Sequence, residues 1–147
     1  MAVEKVSAHD LARYLAREQE GCSPWRLHKL LYYCQAWHLV WEEQPIFSQP
    51  IMAWANGPVL ASIYPVHRGS FDAITSWPLG RITKLSAGQR ESADKIIEFY
   101  SKFGNWELQE LVQHEKPWQD ARQGVPQFER GNKRIKLESL YEYYSSL

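Results

Sequence analysis

Apolar residues recur at helical spacing over several stretches, and the residues that bound each stretch predict the elements. Ala8, Leu11, Ala12 and Leu15 step by three and four positions after Ser7, with Asp10 completing a variant capping box and Gly21 supplying a stop. A first helix over about residues 8–19 follows. Ser23 as cap and Pro24 in the first turn open a second, whose set Leu27, Leu30, Leu31, Cys34, Trp37, His38 and Trp41 forms one broad apolar face. That helix, about residues 24–41, is expected to be the central buried one, with Arg26, His28, Lys29 and Tyr33 on a solvated face.

The period then changes. Pro45, Ile46, Phe47, Pro50, Ile51 and Trp54 suit a small β-hairpin near residues 46–55, and Asn56-Gly57 reads as a turn. Pro58 is read as opening a short helix through Val59, Leu60, Ile63 and Tyr64, which Pro65 kinks or ends. Residues 69–85 carry turn residues without a sustained period, a connection with room for a second short strand pair. Ser86 and Gln89 make a capping box for a long helix through Ala93, Ile96, Ile97, Tyr100 and Phe103, ended by Gly104. Asn105 is read as the cap of a shorter helix with Leu108, Leu111 and Val112, and Pro117 as the start of a turn around Trp118. Ile135, Leu137, Leu140, Tyr141 and Tyr144 mark a last helix. The fold class is therefore mainly α, a compact helical bundle around a central buried helix with one small hairpin, and 1–147 reads as a single domain without repeats or linkers.

Composition narrows the function. The chain has 147 residues, and its 17 Lys+Arg balance 17 Asp+Glu, so no long-range field favours nucleic acid or anionic lipid. No apolar run is long enough to cross a bilayer, and charges enter too early for a signal-peptide core, so a cytoplasmic protein with reduced Cys22 and Cys34 is expected. The five histidines, His9, His28, His38, His67 and His114, lack the spacing of a metal face, and Trp118 stands where a zinc-protease helix would need its second ligand. No nucleophile elbow, Walker loop or dinucleotide fingerprint occurs. Neither catalysis nor a cofactor is expected. The 7 Trp and 8 Tyr instead supply large rings for a core or an interface.

Two segments are denser in unusual residues than packing requires, Lys29 to Tyr64 and Phe103 to Arg122. Lys29, Leu30, Leu31, Tyr32, Tyr33, Gln35 and Trp37, then Trp54, Gly57, Pro58 and Val59, then His114, Pro117 and Trp118 together resemble the motifs of the Panacea (SocA-type) antitoxin domain family, also carried by phage-associated proteins. Gln113 replaces the threonine that the family usually has before the histidine, and Pro65 falls within a helix that the family continues. The resemblance implies an antitoxin that neutralises a co-encoded protein toxin by direct binding. Its alternatives are an adaptor that delivers the bound toxin to a cellular protease, or a phage-associated interaction protein. The motif residues are read as mainly structural. Exposed members of the set Trp25, Tyr33, Trp77, Trp106 and Tyr143 are the candidate partner contacts, and exposed aromatics also admit a homodimer.

Overall fold

The computed structural model describes residues 5–70, 73–74 and 76–147. Among these, helices α1 (Ala8–Glu18), α2 (Pro24–Glu42), α3 (Tyr64–His67), α4 (Ala87–Tyr100), α5 (Asn105–Gln113), α6 (Lys116–Ala121) and α7 (Leu137–Ser145) surround a hairpin of β1 (Ile51–Trp54) and β2 (Gly57–Leu60). The fold is mainly α with a small antiparallel hairpin, as the periodicity predicts.

Helix α2 is the axis. Ser23 Oγ accepts from the Arg26 N–H at 3.0 Å, Pro24 sits in the first turn, and Glu43 ends the helix in the left-handed conformation at φ 57°. Packing against α1, α4, α5, α7 and β2 buries α2 on nearly every side. The solvated face expected for it is therefore absent: His28, Lys29 and Tyr33 are buried along with the leucines. A helix enclosed by five neighbours keeps little outward surface, here chiefly at Trp25 and Trp41 near its two ends, so most of its polar residues take partners inside.

Gln35 does so by clamping the loop after α2. Its Oε1 accepts the N–H groups of Ile46 and Phe47 at 2.8 and 3.4 Å, and its Nε2 donates to Phe47 O at 2.7 Å. His38 is a hydrogen-bonded core histidine, with Nδ1 2.7 Å from Ser92 Oγ.

The hairpin lies later in the chain than the sequence suggests. Residues 46–50 are irregular, and Ile51 to Trp54 pair with Leu60 to Gly57 across an Ala55-Asn56 turn. Pro58 stands in a strand and does not open a helix, because Gly57, at φ 137°, turns the chain straight back. The helix begins at Tyr64, and Pro65, in its first turn, helps to start it and neither kinks nor ends it. Ile135 likewise belongs to an extended segment, not to the last helix. Its N–H donates to Ile51 O at 2.8 Å, and Ala53 N–H donates to Lys133 O at 2.8 Å, so residues 133–135 flank β1 on its free edge.

Three smaller corrections concern helix ends. Gly104, not Asn105, holds the cap position of α5, and Glu107 Oε1 accepts the Gly104 N–H at 3.1 Å. Pro117 belongs to the short helix α6, not to a turn. Within residues 69–85 there is no strand pair among the described residues, only an isolated bridge of Ile74 to Cys22 and one 3-10 turn over Ile82–Lys84.

Candidate functional site

The N-terminal turn of α2, the hairpin and the start of α5 enclose a groove of about 600 Å³. Its walls carry Trp25, Arg26 and Lys29 from α2, Trp54, Gly57, Pro58 and Val59 from the hairpin, Tyr64 from α3, Trp106 from α5, and Phe128 and Arg130 from the loop before β1's flanking segment. Five of the residues singled out by motif thus meet on one surface. So do two of the proposed partner contacts: Trp25 is 37% exposed and Trp106 68%, and the rim residue Phe128 is 89% exposed.

The hairpin end of the groove is stiffened from behind. Trp118 Nε1 donates to Trp54 O at 2.9 Å, and Gln113 Nε2 donates to Ala55 O at 3.3 Å, filling with an amide the place of the family's threonine. Trp54 meets Tyr64 edge to face at 4.9 Å, and the Arg130 guanidinium lies 4.2 Å from the Trp54 ring centre. The loop that delivers Phe128 and Arg130 is wound around one buried side chain. Arg122 donates through its two terminal nitrogens to the carbonyls of Ala53 and Arg130, both at 2.9 Å, and of Pro126, Gln127 and Glu129, at 2.9, 3.4 and 2.7 Å. Nothing in the local sequence around Arg122 signals this role, since its acceptors are all backbone carbonyls.

Electrostatically the groove is one-sided. Arg26, Lys29 and Arg130 line it, and among the described residues no carboxylate does. Arg26 is engaged by neutral acceptors, Asn105 Oδ1 at 3.1 Å and Tyr100 O at 3.0 Å. Lys29 retains only 6% exposure, with its Cε beside Gly57. Among the described residues no hydrogen-bond acceptor or carboxylate engages its ammonium. Burial, assisted by the nearby Arg26 charge, pulls the Lys29 pKa down to about 8.

Most of the remaining motif residues build or border the core, while His114 is exposed. Tyr32, Tyr33 and Tyr144 form a hydroxyl chain that ends on Glu115: Tyr32 and Tyr144 oxygens are 2.9 Å apart, and Tyr144 and Tyr33 both donate to Glu115 Oε1, at 2.9 and 2.6 Å. Tyr33 also stacks on Tyr100 at 4.0 Å, and Trp37 Nε1 donates to the Tyr100 hydroxyl at 3.0 Å. His114 Nδ1 bonds Glu110 O at 2.7 Å within its own helix turn, and Pro117 is buried. Leu30 is enclosed in the core.

Tyr33 and Trp77 are buried and so leave the set of exposed partner contacts; Trp77 Nε1 donates to His9 Nδ1 at 3.1 Å. Tyr143 is half-buried against Tyr144, away from the groove. A second groove, of about 790 Å³, is lined by Trp37, Trp41, Phe99, Phe103, Glu115 and Leu147. No described helix is long and apolar enough to cross a membrane.

Comparison with protein families places a match on residues 27–119, to the model described as antitoxin SocA-like, Panacea domain. That span contains every motif residue from Lys29 to Trp118. Neither the curated proteins nor the solved structures yield a match.

Proposed function

The chain belongs to the SocA-like antitoxin family with a Panacea domain, and from that premise we propose that it neutralises a co-encoded protein toxin by binding it directly, through the groove between α2, the hairpin and α5. An antitoxin-type role follows from the family; the mechanism is our reading of the groove. The observation that carries it is the convergence there of Lys29, Trp54, Gly57, Pro58 and Val59 with the exposed rings of Trp25 and Trp106.

Large exposed aromatics beside arginine are the residue types that dominate binding energy in protein interfaces. A stable complex buries roughly 800 Å² on each partner, so contacts must spread beyond the groove onto the faces of α2 and α5 that flank it. The groove's framework needs little rearrangement to bind, because Arg122, Trp118 and Gln113 hold its hairpin and loop in place through backbone carbonyls. Such preorganisation lowers the ordering cost of association. In this reading no bond is made or broken.

The test is co-expression with the product of the neighbouring gene, followed by co-purification. Relief of toxicity, recovery of a complex and an unchanged toxin half-life are the expected results. Trp106→Ala is expected to weaken the complex by more than about tenfold, as hot-spot truncation does, with no loss of thermal stability, since the ring is mostly exposed. A toxic neighbour whose toxicity persists in the presence of well-folded protein overturns the proposal.

A further inference from the structure

The chain as a whole is electrically balanced, yet among the described residues the groove gathers Arg26, Lys29 and Arg130 and no Asp or Glu. Two of these cations are accommodated internally: Arg26 by the Asn105 and Tyr100 oxygens, Arg130 by the rings of Trp54 and Tyr64 at 4.2 and 5.4 Å. Lys29 is not. It is 94% buried by the complement of its 6% exposure, it has no partner among the described residues, and what surface it keeps opens on the groove. Largely but not wholly withdrawn from water and without a counter-charge among the described residues, its ammonium is costly to hold and is open to a partner that arrives from elsewhere.

We infer that the groove seats an acidic side chain of the partner protein, flanked by an apolar residue, with the carboxylate meeting the Lys29 ammonium and the apolar neighbour lying against Trp25 and Trp106. This rests on the neutralisation reading above and names the chemistry that the partner must present. A protein segment fits the surroundings better than a small anionic ligand. The rim rings Trp106 and Phe128, at 68% and 89% exposure, stand too open to enclose a small molecule but offer apolar surface to a polypeptide.

The carboxylate completes a charge pair that the free protein holds half-made, so Lys29 contributes more in the complex than in isolation. Lys29→Met keeps the length and packing of the stem and removes the charge. It is expected to raise the melting temperature of the free protein while weakening the complex with the neighbouring toxin about thirtyfold or more, the range for truncating one member of a desolvated charge pair. Lys29→Arg is expected to retain part of the affinity.

A second probe is independent of the toxin: a random peptide library panned on the full chain and on the Lys29→Met protein. Peptides carrying Asp or Glu next to an apolar residue should be enriched on the first and lost on the second. Undiminished toxin binding by Lys29→Met, or recovered peptides without acidic residues, overturns the inference. If the neighbouring product is not neutralised by the wild-type chain, the proposed function fails, and the peptide result alone then supports or overturns the acidic-ligand assignment.

Discussion

Tyr33 donates a 2.6 Å hydrogen bond to Oε1 of Glu115 across 82 positions of sequence, joining the middle of α2 to the junction of α5 and α6. Tyr144 brings α7 to the same oxygen. One carboxylate thus gathers three helices, and it does so in a site where burial raises its pKa more than the two phenol hydrogen bonds lower it.

That balance sets the outcome of two substitutions. Glu115→Ala leaves two buried hydroxyls without an acceptor and is expected to cost about 3 kcal/mol. Glu115→Gln keeps a carbonyl for both hydroxyls and removes the buried charge, so its stability near pH 7 should stay within about 1 kcal/mol of wild type. A carboxyl whose folded pKa is raised above 4.5 binds more protons folded than unfolded, so its contribution to stability declines as pH climbs through that interval. The decline should vanish in Glu115→Gln, and urea melts over a pH series measure it. A loss in Gln as large as in Ala would show that the charge itself holds the hydroxyls.

His28 and His67 predict the opposite pH dependence. Their Nε2 atoms are 2.7 Å apart, and His28 Nδ1 accepts the Leu60 N–H at 3.1 Å, so His28 carries its proton on Nε2 and donates it to His67. Burial lowers both pKa values below 6.5, and for His28 the charges of His67 and Lys29 lower it further. The folded state therefore binds fewer protons than the unfolded one. The stabilisation is complete above pH 6.5 and is lost as pH falls below it. Melting temperature should drop from neutral pH towards about pH 5, and less so in His67→Gln, where only His28 of the two remains to be protonated. Equal slopes for the two proteins would contradict the assignment.

Gly57→Ala tests the hairpin turn. A Cβ there would meet Lys29 Cε and Val112 Cγ1 only at 3.5 and 3.6 Å, ordinary contact distances, so space is not the obstacle. The backbone at φ 137° is, and the cost should be about 1–3 kcal/mol. Because Gly57 and Lys29 share the groove wall, affinity for the partner should fall along with stability, read by thermal melts and by binding to the neighbouring toxin.

Arg122→Lys replaces a fork of donors with a single ammonium that cannot reach five carbonyls at once. A loss of about 2–4 kcal/mol is expected, on the scale of breaking hydrogen bonds to a charged group. Limited proteolysis should cut faster between residues 124 and 131, the loop that the guanidinium organises. Unchanged cleavage would mean that the loop holds its shape without Arg122.

The local code of the chain was enough to place most helices. Ser23-Pro24, Ser86 with Gln89, and the apolar steps of α1, α2 and α4 name their own beginnings and faces, because caps and 3.6-residue periodicity are properties of neighbours in sequence. Pro58 and Ile135 were misread for the complementary reason. A proline beside a turn suits a helix start or a strand equally, and only the pairing of β2 with β1, and of residues 133–135 with Ile51 and Ala53, chooses the extended form. Trp25 and Trp106 were visible as candidates for exposure, but so were Tyr33 and Trp77, since an aromatic residue carries no mark of which side of the surface it will occupy.

Periodicity and capping residues by themselves determined a mainly helical protein built on α2. The tertiary structure decided which polar groups of α2 were drawn inside: Gln35 found a loop to clamp, Tyr33 a distant carboxylate, and Lys29 no partner among the described residues. Whether a buried polar atom is satisfied depends on groups brought together from across the chain, and no pattern of sequence neighbours contains that information.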